Sequence, residues 1–215
     1  MYMKAVIVYS GGMDSTVLLY RYRKEISLAV TFTYGSRQDE AQLECAGWNC
    51  ARLGIRHLVI PLDFMGKYFK SSMFEGQEDI PHGKYDEENM KSTVVPFRNG
   101  IMLSVAVGLA ESNGLDTVLI ANHAGDHTIY PDCRPEFIDA ISSAAKAGTF
   151  EGISIVSPFC NITKREIALI GREEGVPFER TYSCYEGRAR HCGLCGTCNE
   201  RKEALEGFDP TEYEQ

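Results

Sequence analysis

Three groups of residues carry types and spacings that could do chemistry. The first, Tyr9-Ser10-Gly11-Gly12-Met13-Asp14-Ser15-Thr16, follows the apolar run Ala5-Val6-Ile7-Val8 and leads into Val17-Leu18-Leu19-Tyr20. A glycine turn between a buried strand and a helix start lets backbone N–H groups and the positive helix end converge on an anion. Ser10, Ser15 and Thr16 add hydroxyl donors, so phosphate is the ligand this order of elements suits. Two familiar phosphate motifs do not fit. No lysine follows Gly12, as a Walker A loop requires, and the adjacent pair Gly11-Gly12 lacks the third glycine of a dinucleotide fingerprint. The second group is Cys184, Cys192, Cys195 and Cys198, with Gly193 and Gly196 interleaved. Four thiolates so placed can close a tetrahedral zinc site that leaves no position for water, which makes the ion structural. An iron–sulfur cluster or a redox-active thiol pair would draw on the same residues. The third is Tyr130-Pro131-Asp132-Cys133-Arg134-Pro135-Glu136-Phe137, where two prolines stiffen a span that projects a phenol, a thiol and three charges. Substrate recognition by Tyr130, Asp132, Arg134 and Glu136 is one reading; a salt-bridged helix cap with Cys133 buried is the other.

The elements that must position these groups alternate along the chain. Strands are expected at Ala5–Val8, Ile26–Phe32, His57–Leu62, Asp116–Ala121 and from Ser154 toward Phe159, each rich in apolar residues. Between them, helical spacing runs from Arg37 to Leu53, with Ser36 as its cap, Cys45 and Trp48 in the core and Gly54 as its stop. His57 reads as a strand-edge residue. A further helix follows Val94-Val95-Pro96-Phe97-Arg98-Asn99 as far as Asn113-Gly114, with Arg98 at its start, where a guanidinium could meet phosphate or carboxylate. Pro135 can begin another helix that stops at Gly148, and Thr163-Lys164-Arg165-Glu166 is a capping box. Lys164 could reach phosphate, although an exposed lysine is the ordinary state of such a position. Asn122, His123, Asp126 and His127 follow the fourth strand, on the edge where parallel sheets bind ligands, and the histidines read as hydrogen-bonding groups. Asp63 to Val94 break the alternation, with Met65, Phe69, Met73 and Phe74 followed by the polar stretch Glu75 to Asn89, a connection long enough to be a closing lid or a disordered segment. The alternation predicts an α/β protein with a doubly wound, mainly parallel five-stranded sheet and helices on both faces. It reads as a single domain over 1–215, with 180–203 as an integral zinc-binding segment.

Composition narrows the function classes. A net charge of −8 and a pI near 5.2 disfavour a broad surface for nucleic acid. Between Arg180 and Glu203 five basic residues outnumber three acidic ones, either as a local anion patch or as arginines tied up in a loop. No apolar run approaches the roughly 20 residues that span a bilayer, and Met1-Tyr2-Met3-Lys4 goes straight into a strand. The expectation is a cytoplasmic protein without a membrane partner. Such a compartment disfavours disulfides and turns the cysteines toward metal binding.

Ser10-Gly-Gly-Met-Asp-Ser15 after a first strand resembles the PP-loop of the N-type ATP pyrophosphatases. Joined with Tyr34-Gly35, Val95-Pro-Phe-Arg-Asn99, Tyr130–Phe137 and Ser183-Cys-Tyr185 through the last three cysteines, it resembles the 7-cyano-7-deazaguanine synthase family of queuosine biosynthesis over essentially the whole chain. Ser36 and Gln38 depart from the glutamine and histidine expected after Tyr34-Gly35. The resemblance implies an adenine nucleotide alpha hydrolase-like fold and an ATP-dependent ligase. That enzyme would turn 7-carboxy-7-deazaguanine and ammonia into a nitrile through adenylated acid and amide intermediates, releasing AMP and pyrophosphate. It implies that residues Tyr9 to Thr16 hold ATP, that Mg²⁺ accompanies it with Asp14 orienting metal or phosphate, and that Arg98 and Lys164 join Asp14 as catalytic residues. It also implies substrate contacts from Tyr130, Asp132, Arg134 and Glu136, structural Zn²⁺ on the four cysteines, and a homodimer. A PP-loop tRNA thiolase and a non-catalytic nucleotide-binding module are the competing readings.

Overall fold

The computed structural model describes residues 3–215. Strands β1 (Ala5–Val8), β2 (Ile26–Thr33), β3 (Arg56–Pro61), β4 (Thr117–Leu119) and β5 (Ser154–Val156) form one sheet in the order β3-β2-β1-β4-β5. Every pairing is parallel, and Val6 sits between Leu28 and Val118. Near-continuous apolar strands are what a sheet covered on both faces requires. Val6, Leu28, Val30, Val118 and Ile155 face one core, while Ala5, Ile7, Ala29 and Leu119 face the other. The edge strand β3 is the half-exposed exception. His57 lies on it as expected, its Nε2 2.7 Å from the Thr31 hydroxyl.

Helices α1 (Met13–Arg21), α2 (Asp39–Leu53), α3 (Asp63–Tyr68), α4 (Glu87–Met90), α5 (Arg98–Ser112), α6 (Pro135–Gly148), α7 (Lys164–Glu173) and α8 (Gly196–Ala204) complete the fold. The core of α1, α2 and α7 covers one face of the sheet; α5 and α6 cover the other. Leaving β1, the chain builds β2 and β3 to one side and β4 and β5 to the other. The order therefore reverses between β1 and β4, and a crevice opens at their carboxyl ends.

Three expectations need correction. Ser36 does not cap α2; the cap position is Gln38, and the turn is held by Asp39, whose Oδ2 accepts from the amides of Tyr34, Gly35 and Ser36 at 2.8, 2.8 and 3.2 Å. Trp48 and Cys45 are half-buried, because Trp48 lies beneath the guanidiniums of Arg52 and Arg180 at the protein's margin. Residues 63–94 contribute buried Met65, Met73, Phe74, Ile80 and Met90 to the cores and are pinned by backbone bonds from Arg37 to Met73 and from Gly83 to Leu194. The stretch is exposed between these anchors but tied to the body of the protein by them, since five large apolar side chains cannot face water at low cost.

Truncating Asp39→Ala leaves three amides without their acceptor and is expected to cost about 1–3 kcal/mol. Asn, which keeps one acceptor oxygen, should recover part of this. Urea unfolding of the two variants beside wild type measures both effects.

Candidate functional site

The turn after β1 builds the floor of the crevice. Gly12 stands at the N-cap of α1 with no side chain capping it, so the first amides of the helix keep their donors for a ligand. The hydroxyls around it are ordered by one another. Ser10 Oγ accepts from the Gly12 amide at 3.1 Å and lies 3.1 Å from Ser15 Oγ; Thr16 Oγ1 donates to the Gly12 carbonyl at 2.8 Å and lies 3.1 Å from the Tyr9 hydroxyl. Gly11 has φ +84°, and a methyl group there would stand 2.2 Å from the Gln42 carbonyl oxygen of α2. Only glycine permits that approach. On its other side the Gly11 carbonyl accepts from the amide of Tyr182, at 3.1 Å.

Asp14 Oδ2 lies 3.1 Å from Lys164 Nζ, while Asp14 Oδ1 is buried with no hydrogen-bond partner. Lys164 is not the exposed helix lysine that its position suggested. It is the first residue of α7, after the Thr163 cap, and it reaches back to the turn with its ammonium buried between Asp14 and Glu200 Oε2, the latter at 2.8 Å. Burial alone would discharge it, but the carboxylates of Asp14, Glu200 and Asp126 outweigh that cost and hold its pKa above the ordinary lysine value. Tyr85, from the segment before α4, donates to Asp126 Oδ1 at 3.0 Å and packs near Lys164.

A deeper compartment lies beside the turn, between α5 and the loops after β4. Arg98 begins α5 and donates from Nη1 to the Tyr34 hydroxyl at 3.1 Å; among the described residues no carboxylate lies within ion-pair reach of it. Arg98 is a permanent cation, and its neighbour Tyr34 moves its pKa further up against the opposing effect of burial. Tyr130 and Tyr185 share a hydroxyl contact of 3.1 Å, and Tyr130 also reaches Thr93. Asn99, Asn122 and Cys133 close the far wall. Burial pushes the Cys133 thiol well above its usual range, so it is a neutral wall element.

Tyr130 is thus brought to the cleft, but Asp132, Arg134 and Glu136 are not among its lining residues. Asp132 Oδ2 accepts from the Asn99 amide at 2.8 Å and caps the start of α5, Arg134 Nε donates to the His127 carbonyl at 2.8 Å, and Glu136 is exposed in the first turn of α6. The stiff span works here from behind, by fixing α5 and Arg98.

The four cysteines form a buried cluster whose sulfurs lie within 4.8 Å of one another. Amides of Cys192, Leu194 and Cys195 point at cluster sulfurs at 3.3–3.4 Å, and Cys195 is the N-cap of α8. Hydrogen bonds from Cys184 and Cys198 draw Cys195 far below the normal thiol range. The basic residues nearby are internal ties and not an anion patch. Arg201 is 0% exposed and donates to Thr211, Thr181, Ser183 and the Phe178 carbonyl; Arg188 pairs with Glu214, and Lys202 donates to the Gly193 carbonyl. Gln38 joins the cluster to the rest of the cleft, donating from Nε2 to the carbonyls of Ser183 and Cys184.

Glu200, Tyr85 and Gln38 escaped the sequence reading as site residues. Glu200 sits two places after the last cysteine, where a lone glutamate between basic residues carries no signal. Tyr85 lay in the stretch taken for a lid.

A parallel sheet with a bare-amide glycine turn at its switch point, facing a second compartment that holds an unpaired arginine, defines an α/β protein of the PP-loop class. The chain belongs to the family described as "Queuosine biosynthesis protein QueC", whose model matches residues 4–209. It is 56% identical over 213 residues to the 7-cyano-7-deazaguanine synthase of Porphyromonas gingivalis, covering 98% of this chain and 97% of that one. To the 7-cyano-7-deazaguanine synthase of Desulfotalea psychrophila it is 50% identical over 214 residues, covering 97% and 98%. The solved structure of NMN synthetase from Francisella tularensis shares the fold at a TM-score of 0.52 and 14% identity, covering 98% of this chain and 79% of that one.

Gly11→Ala introduces a left-handed alanine, costing about 1–2 kcal/mol, and a contact with backbone that cannot rotate away. The turn must shift, so the unfolding midpoint measured by calorimetry should fall.

Proposed function

We propose that the protein is a 7-cyano-7-deazaguanine synthase, an ATP-dependent ligase that converts 7-carboxy-7-deazaguanine and ammonia to the nitrile. The observation that carries this reading is the union of two unlike compartments in one cleft: amides built for phosphate on one side, an uncommitted guanidinium among tyrosines and amides on the other. A carboxylate held by Arg98 would lie beside the α-phosphate of an ATP whose pyrophosphate end rests on Ser10–Ser15. The acid would be adenylated there and attacked by ammonia; the amide oxygen would be adenylated in turn and expelled as AMP. Each activation releases pyrophosphate. The bare amides of α1, the hydroxyls of Ser10 and Ser15 and the ammonium of Lys164 would stabilise the charge leaving on pyrophosphate.

The residues present fit the ions this chemistry uses. Asp14 Oδ1, buried and unpartnered, is the type of hard oxygen that Mg²⁺ takes, and the ion would offset phosphate charge. Zinc–sulfur bonds of about 2.3 Å set tetrahedral sulfur separations near 3.8 Å. The Cys192 and Cys198 sulfurs are 3.9 Å apart, which suits a structural Zn²⁺ on Cys184, Cys192, Cys195 and Cys198. With all four engaged and burial raising the thiols of Cys45, Cys50, Cys133 and Cys160, no readily ionised thiol is left to deliver sulfur, which weighs against a tRNA thiolase. We take the working form to be a cytoplasmic homodimer, as the resemblance implies; light scattering reads the oligomeric state.

Mass spectrometry after incubation with Mg²⁺-ATP, ammonium and 7-carboxy-7-deazaguanine is the test. A nitrile with two AMP per product is expected, whereas AMP without nitrile would reject the substrate assignment. Arg98→Ala should lower kcat/KM for the acid about 100-fold or more, the scale of a lost charge-assisted pair of roughly 3 kcal/mol, while ATP affinity changes little. Cys198→Ser should release the bound metal and lower the unfolding midpoint, read by metal analysis and calorimetry.

A further inference from the structure

Lys164 does not reach the phosphate turn by its own helix alone. Its ammonium carries three donors. One meets Glu200 Oε2 at 2.8 Å, and Asp14 Oδ2 of the turn lies 3.1 Å away. A lysine side chain is long and flexible, so a single anion beside it would capture it. With Asp14 as the only partner, the ammonium would be drawn wholly onto that carboxylate, which it already approaches at 3.1 Å. Glu200, on the opposite side, divides its attention and leaves a third donor for a ligand oxygen.

Glu200 is itself held firmly. Its Oε1 lies 3.7 Å from His123 Nε2, and the His123 Nδ1 accepts from the Gly125 amide, which leaves the proton on Nε2 facing Glu200 and Asp126. The helix that carries it starts in the cysteine cluster: Cys195 is the N-cap of α8, Cys198 lies in its first turn, and Arg201, the next residue after Glu200, is locked by four hydrogen-bonding groups. The side chain of Glu200 is 14% exposed, unlike a solvated helix glutamate.

We propose that Glu200 is a positioning residue for Lys164, through which the four-cysteine end of α8 sets the place of the ammonium at the phosphate turn. Glu200 touches no nucleotide in this arrangement; it acts through Lys164. This rests on the reading of the turn as an ATP site, though not on the identity of the acid that is activated.

The experiment is a double-mutant cycle on Mg²⁺-ATP affinity by titration calorimetry, with Glu200→Gln, Lys164→Met and the pair together, metal content being checked in each. Glu200→Gln keeps the volume and the metal and should weaken ATP binding about tenfold, with Lys164→Met at least as damaging. Because the first change acts through the second, the double variant should bind ATP no more than about twofold worse than Lys164→Met. Independent losses that multiply would overturn the proposal. Tighter ATP binding in Glu200→Gln would also overturn it, since the carboxylate would then act only by repelling phosphate. Wild type that binds no Mg²⁺-ATP would reject both this role and the ATP site, whereas wild type that binds ATP but forms no nitrile would reject only the substrate assignment and leave the cycle to be read.

Discussion

The arrangement depends on how closely the backbone of α2 approaches Gly11. With the Gln42 carbonyl 2.2 Å from where a β-carbon would stand, no other residue lets the helix and the turn share that space. The contact does more than shape a loop. The Gly11 carbonyl accepts the Tyr182 amide, and Gln38, one turn before Gln42 on the same stretch, donates to the carbonyls of Ser183 and Cys184. One glycine thus locks the strand-end turn, the second helix and the cysteine-bearing segment into a single body. The amides for phosphate and the walls of the neighbouring compartment keep their spacing because this body does not flex at its joint.

Charge is arranged around that joint with the same economy. Asp14, Glu200 and Asp126 surround one buried lysine, while the deeper compartment holds a guanidinium with only phenols and amides beside it. Buried charges that are fully paired stabilise little and mainly fix geometry; a buried charge left unpaired costs free energy that a ligand of opposite sign can recover. The two cations therefore differ in role even though both line the cleft. Lys164 is fixed between carboxylates, and Arg98 has only the Tyr34 hydroxyl as its hydrogen-bond partner among the described residues. Asp132, drawn away from the cleft to the Asn99 amide in the first turn of α5, helps to hold Arg98 in that state by fixing the helix that Arg98 begins.

Much of this was legible in the residues. The apolar runs marked all five strands, the adjacent glycines marked the turn, and cysteine spacing marked the cluster, because each is a local signal with a local cause. The misreadings share a different origin. Asp132, Arg134 and Glu136 were chosen by type and stiffness, but which way a side chain points from a proline-bounded turn depends on α5, which packs from elsewhere in the chain. Lys164 is named for the site by the resemblance alone, since nothing near it in sequence announces Asp14 or Glu200, 150 and 36 residues away. Residues 63–94 read as a lid or a disordered segment because of the long polar stretch Glu75–Asn89, while the buried Met65, Met73, Phe74, Ile80 and Met90 are scattered along 63–94 with no helical or strand period.

The cysteine cluster shows how a structural element can belong to a site without touching a ligand. Its segment supplies Tyr182, Ser183 and Tyr185 to the walls of the cleft and Glu200 to the lysine, and its fully buried Arg201 binds the same stretch from beneath through Thr181 and Ser183. A C-terminal loop of this length, rich in glycine and arginine, has too little apolar area to hold such a shape by burial alone. A metal ion held by its four cysteines would remove the conformational freedom that the weak core cannot. The cluster would then help turn a loop into a wall, together with Gln38 and Arg201, which hold Ser183 and Cys184 from the other side.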